Sequence, residues 1–160
     1  MTTPDTGEDQ AWGMLADVEE GEREAQMQAR YKELARLPEE ERQSRLKAMV
    51  HTEYALSDEK LRRQTISRLR SWLRMDFELA QTVAKSYVAI MIQMPGTIAM
   101  RRVALDQTLA REFSLDEQGR LAAIDPQVFG PLSAPHPVAR APAQPSEVPP
   151  KKAWWAFWRK

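Results

Sequence analysis

SDEKLRRQTISRLRSWLRMDFELAQTVAKSYVAIMIQM, residues 57–94, is the stretch on which the fold turns. Ser57 precedes two acids, Asp58 and Glu59, so a capped helix start with a favourable first-turn charge is expected there. Leu61, Thr65, Leu69 and Trp72 then recur on one face at helical spacing. Arg63, Arg70 and Arg74 share another face, with Arg62 and Arg68 nearby, and no other stretch is as basic. Asp76 stands where a second cap is expected. Beyond it Phe77, Leu79, Val83, Tyr87, Ile90, Ile92 and Met94 leave almost no polar face. A helix apolar nearly all round is predicted to be the central one, covered by its neighbours. Pro95-Gly96 ends it, since proline bars continuation and glycine is free to adopt a positive φ.

Working outward, residues 97–113 place Ile98, Leu105, Leu109 and Phe113 along one face. Arg101 and Arg102 lie near the start of that helix, where cations oppose the macrodipole. A partner carboxylate is therefore expected, Asp76, Glu78 or Asp106. Ser114 and Glu117 have capping-box spacing before a short helix that Gly119 weakens. Upstream, Pro38 opens a helix with three glutamates in its first turn. Residues 19–36 are rich in helix formers but carry only Met27, Tyr31 and Leu34 as a narrow apolar stripe. Such a helix lies on a surface or pairs with another helix. In a larger assembly the stripe would stay exposed in the isolated protein.

No segment alternates with the period of a half-buried strand. The fold class is all-α: a small bundle of about four to six helices over 19–130, with a compact core at 57–124 and residues 38–52 packed on it. Residues 1–18 carry acids and no Lys or Arg. They read as a disordered acidic arm interrupted by Trp12, Met14 and Leu15.

The 160 residues have a formal net charge of zero and no cysteine, which removes disulfides, thiolate chemistry and cysteine metal sites. The longest apolar run, residues 86–100, is shorter than the roughly 20 residues of a spanning helix and reads as buried core. The polar, acidic start is the reverse of a signal peptide. His51 and His136 are the only histidines and form no pair. With no glycine-rich loop, calcium-loop spacing or catalytic constellation, a non-enzymatic protein without cofactor or metal is expected.

Residues 131–150 hold seven of the eleven prolines. That density bars helix and sheet and predicts an extended linker of about 3 Å per residue. It leads to KKAWWAFWRK, residues 151–160. On a helical wheel Trp154, Trp155, Phe157 and Trp158 fall within an arc of about 160°. Lys152, Arg159 and Lys160 lie opposite, and Lys151 intrudes on the arc. Tryptophan and phenylalanine facing away from cations is the composition of an interfacial anchor. Half-burying four aromatics contributes on the order of 6–10 kcal/mol. Four cations near anionic lipid add up to about 4 kcal/mol. Ordering the peptide costs on the order of 8–12 kcal/mol, so one peptide binds reversibly, and an oligomer would bind better through effective concentration.

The sequence thus points to an adaptor, scaffold or assembly protein, bacterial in type and cytoplasmic. It would dock peripherally at the inner face of an anionic membrane through residues 151–160. A groove on a partner protein is the alternative target, and a tail folded back on its own domain is a third. Arg62, Arg63, Arg70 and Arg74 are candidate anion-binding residues. A helical regulator touching nucleic-acid phosphates is the reading they would support, with the neutral overall charge and the bracketing acids against it. The layout of helical domain, proline-rich spacer and adhesive peptide is similar to bacterial membrane-associated adaptors, and to assembly factors that dock through a tethered peptide.

Overall fold

The structure, a computed structural model, describes residues 6–130. Among them are eight α-helices, a 3-10 turn and no strand. In order these are α1 (Thr6–Met14), the 3-10 turn (Leu15–Asp17), α2 (Glu20–Arg36), α3 (Glu39–Tyr54), α4 (Asp58–Arg74), α5 (Phe77–Met91), α6 (Gly96–Ala110), α7 (Leu115–Ile124) and α8 (Pro126–Phe129). The all-α reading holds, with more helices than the four to six expected. The linker 131–150 and the peptide 151–160 lie outside the described residues.

Several helix starts follow local chemistry. The Ser57 hydroxyl accepts from the Lys60 amide at 3.4 Å. Ser114 and Glu117 form both halves of a capping box. Asp76 occupies the cap position of α5, but its side chain accepts no capping hydrogen bond. Pro95 does not interrupt α5, which has already ended at Met91. Gly96 begins α6, and no glycine among the described residues has a positive φ.

The central helix is α4, the most basic segment, rather than the apolar α5. Leu61, Leu69 and Trp72 are buried as their spacing implies, and so are Gln64, Ser67, Arg68 and Ser71. The two serines let α2 approach in parallel. Arg23 Nε donates to Ser67 Oγ at 2.8 Å, Ser71 Oγ to the Glu24 carbonyl at 3.1 Å, and Gln28 Nε2 to the Arg74 carbonyl at 3.2 Å. Helix α3 is joined to α5 by Arg42, whose Nε donates to Ser86 Oγ at 2.7 Å. Its Nη1 donates to the Leu37 carbonyl at 2.8 Å, satisfying the orphaned end of α2.

Two expectations are corrected here. The Met27, Tyr31 and Leu34 stripe is fully buried and sits at the centre of the larger core cluster, so it is not an open assembly face. The core accordingly begins well before residue 57. The second correction concerns residues 6–18, which are helix and turn packed on the bundle instead of a free arm. Trp12, Leu15 and Ala16 are buried. Trp12 Nε1 donates to Glu53 Oε1 at 3.0 Å, and Gln64 Nε2 donates to the Trp12 carbonyl at 2.7 Å. Acids of this segment find cations on the bundle: Glu8 pairs with Arg30 and Arg45, and Asp17 with Lys60. An apolar island with neutralised flanks gains more by docking than chain entropy costs.

Trp12, Tyr31, Trp72 and Tyr87 interlock at the centre. Tyr31 meets Trp12 edge-on at 5.5 Å, Trp72 at 6.1 Å and Tyr87 at 6.4 Å, and Trp72 lies 5.6 Å from Tyr87. Edge-to-face pairs of this kind add specificity beyond area burial. A smaller cluster of Leu69, Leu73, Leu109, Ala110 and Leu121 joins α4 to α6 and α7.

Candidate functional site: arginines on three levels

The docking residues Lys151, Lys152, Trp154, Trp155, Phe157, Trp158, Arg159 and Lys160 lie outside the described residues. The arginines of α4 lie within them. Arg62 Nη2 reaches Glu112 Oε1 at 2.6 Å. Arg63 pairs with Glu59 one turn earlier and reaches the Ala16 carbonyl at 3.5 Å. Arg70 pairs with Glu20 and with Glu24, the latter at 3.1 Å, and Arg74 with the same Glu24 at 2.6 Å. These carboxylates come from α2, from α4 itself and from the turn after α6. A phosphate approaching the four would compete with a carboxylate already in place at each.

Arg70 and Arg74 also meet Arg120 on the rim of a cleft of about 440 Å³ between α4 and α7. Ile66, Leu73 and Phe113 line it, with Glu112 and Glu117 alongside. Arg120 Nη2 donates to the Met75 carbonyl at 3.0 Å, tying α7 to the end of α4. The Ser114 amide and hydroxyl hold the Glu117 carboxyl below the usual carboxylate range. The cleft is therefore a zwitterionic hollow over apolar side chains, with its charges engaged.

The third level is buried, and sequence reasoning missed that burial and the part Arg68 plays in it. Arg68 and Arg102 both face Asp106 inside the bundle. Arg68 Nη2 donates to Asp106 Oδ1, and Arg102 Nε lies 3.6 Å from Oδ2. The Arg102 guanidinium sits 4.0 Å from the Tyr87 ring centroid, and that of Arg68 sits 5.5 Å from both Tyr87 and Trp72. Ring faces partly replace lost hydration. Burial by itself lowers the Arg68 pKa, but Asp106 and then Glu53 more than compensate and raise it above the usual arginine value. Arg68 Nε, Arg102 Nη1, Trp72 Nε1 and Gln64 Oε1 have no protein hydrogen-bond partner. The i,i+4 spacing of Arg102 and Asp106 was the available signal. Asp106 is one of the carboxylates expected for Arg101 and Arg102, and it serves Arg102. Arg101 pairs instead with Asp58 and lies over the Tyr54 ring.

Burial raises the phenol pKa of Tyr87 to about 12, and Glu53 pushes the same way against Arg102 and Arg68. Tyr31 is raised well above 10.0, again chiefly by burial, and its hydroxyl lies 3.2 Å from that of Tyr87. A raised folded pKa stabilises the protonated phenol, fully so below the unfolded value of 10.0, and that stability is lost as pH rises through about 12. Alkaline unfolding is thus expected between those limits, with tyrosinate absorbance and far-ultraviolet circular dichroism changing together. Ionisation of every tyrosine at the ordinary value with the helices intact would contradict the burial.

His51 lies in the last turn of α3 and is exposed; His136 lies outside the described residues. Among the described residues no group of three or more His, Asp or Glu side chains is placed to hold a metal ion. No described helix is long and apolar enough to cross a membrane. Comparison with protein-family models, curated proteins and solved structures finds no match to this chain.

Proposed function

We propose that the protein is a non-enzymatic adaptor whose helical domain is held reversibly at the inner, anionic surface of a membrane by peptide 151–160. The observation that carries this reading is the closed aromatic centre. Tyr31 is seated against Trp12, Trp72 and Tyr87, and Trp72 against Tyr87. The described residues thus fill this aromatic centre with rings of their own. The lining of the cleft beside α4 has three arginines to two glutamates, so it offers the peptide's four cations no excess of carboxylate. Four large aromatics beside four cations are instead suited to a headgroup boundary.

The test is co-sedimentation with vesicles of phosphatidylglycerol and phosphatidylcholine, and with phosphatidylcholine alone. The full chain is expected to partition to the anionic vesicles. A chain ending at Pro150, or one with all four aromatics changed to alanine, should bind about ten- to a hundredfold more weakly. Equal sedimentation of all three chains, or none by the full chain, would overturn the reading. Salt-sensitive DNA or RNA binding that survives truncation would replace it with contact through Arg62, Arg63, Arg70 and Arg74.

A further inference from the structure

The fifteen residues Ser86–Met100 contain no charged side chain, and they were expected to be buried core. The structure divides them. Tyr87, Ile90 and Met94 are buried, but Ile92 is 84 % and Met100 76 % exposed. Both lie where α5 gives way to α6, with Pro95, Gly96 and Thr97 exposed between them. The outward line of α6 continues through Thr97, Met100, Ala104 and Thr108 to Arg111, all exposed. Only one acid occurs in α6, Asp106, and it is buried against Arg68 and Arg102. Helix α6 therefore contributes no exposed carboxylate of its own, whereas α2, α3 and α4 expose Glu22, Glu40 and Glu59.

We propose that the α5–α6 corner and the outer face of α6 form a second membrane-contacting surface, with Ile92 and Met100 entering the headgroup boundary of an anionic bilayer. The proposal rests on the membrane reading of peptide 151–160 and adds a separate set of residues to it. Charge selects lipid as the occupant. Lys85 lies seven residues before Ile92, on the same side of the helix, and is exposed; Arg101 and Arg111 flank the α6 line. Arg101 is additionally paired with Asp58 and stacked 5.7 Å from Tyr54, an amphipathic ring beside the corner. Apolar tips within a collar of Lys, Arg and Tyr fit the boundary between acyl chains and anionic headgroups.

Chain path supports the same target. Gln107 Nε2 of α6 donates to the Val128 carbonyl at 3.0 Å, so the chain leaves the described domain alongside α6. Residues 131–150, at about 3 Å each when extended, give the peptide ample reach to the plane the corner faces. Two weak contacts joined by one linker bind far better than either alone.

The chain has no cysteine, so Met100→Cys can carry a single polarity-sensitive fluorophore. On phosphatidylglycerol-containing vesicles the labelled full chain should show a blue shift that pure phosphatidylcholine does not produce. In the unlabelled chain, I92E/M100E should weaken partitioning by at least about tenfold. Both positions are exposed, so an unchanged thermal melt is expected and separates loss of contact from loss of fold. Full-chain sedimentation with no shift and undiminished I92E/M100E binding would overturn the corner while leaving the peptide's role standing. Neither sedimentation nor shift would remove both. A shift before lipid is added would also overturn the proposal. One abolished by truncation at Pro150 would assign the corner to the peptide, and one growing with protein concentration would assign it to a second copy.

Discussion

Replacing Asp106 by alanine is expected to remove about 3–5 kcal/mol of stability, a large share of what a domain of this size possesses. Asp106 is buried between Arg68 and Arg102, and both guanidinium groups have side chains only 2–3 % exposed. Without it, two cations remain in the interior with Glu53 as the neighbouring compensating charge, itself engaged by Trp12. The cost is therefore mainly that of stranded charge. Urea unfolding of D106A should show a much lower midpoint, or no folded baseline at all. A triple change of Arg68 and Arg102 to methionine with Asp106 to leucine should recover much of the loss, because no charge is then left unpaired. A D106A chain as stable as the parent would show that water reaches these arginines.

The second large effect is expected at Trp12. Changing it to alanine removes a buried indole packed edge-on against Tyr31 and should cost about 3–5 kcal/mol. Changing it to phenylalanine keeps a ring but withdraws the N–H from the buried Glu53 carboxylate, for a cost of about 1–3 kcal/mol. Both are read by denaturant unfolding. The graded pair separates packing from hydrogen bonding. If neither change moved the midpoint, residues 6–18 would be the free acidic arm that their composition suggests.

Trp12 also shows why the start of the chain was misread. Local rules see seven acids and no cation between residues 1 and 22, and read the first 18 residues as a disordered acidic arm. They do not see Arg30, Arg45 and Lys60, which come from three different helices and meet Glu8 and Asp17 only after the bundle has formed. The same blindness hid the role of α2. Met27, Tyr31 and Leu34 make a narrow stripe, but a narrow stripe suffices when Ser67 and Ser71 on α4 let the helix come close.

Of the candidate site, the arginines of α4 were legible as a basic cluster, since their spacing is a property of one helix. Their neutralisation by Glu20, Glu24 and Glu112 was not, because it depends on helix packing. Nor was the difference between Arg68, which turns inward to Asp106, and its neighbours, which do not.

The sequence by itself determined what is local: the all-α class and the helix starts at Ser57 and Ser114. Periodicity and capping act over a few residues and need no partner. Tertiary structure alone decided which helix is central, which acids neutralise which arginines, and which part of the apolar run 86–100 faces outward. Those outcomes depend on neighbours far apart in the chain. Burial is a property of the packed bundle, not of any residue's own hydrophobicity.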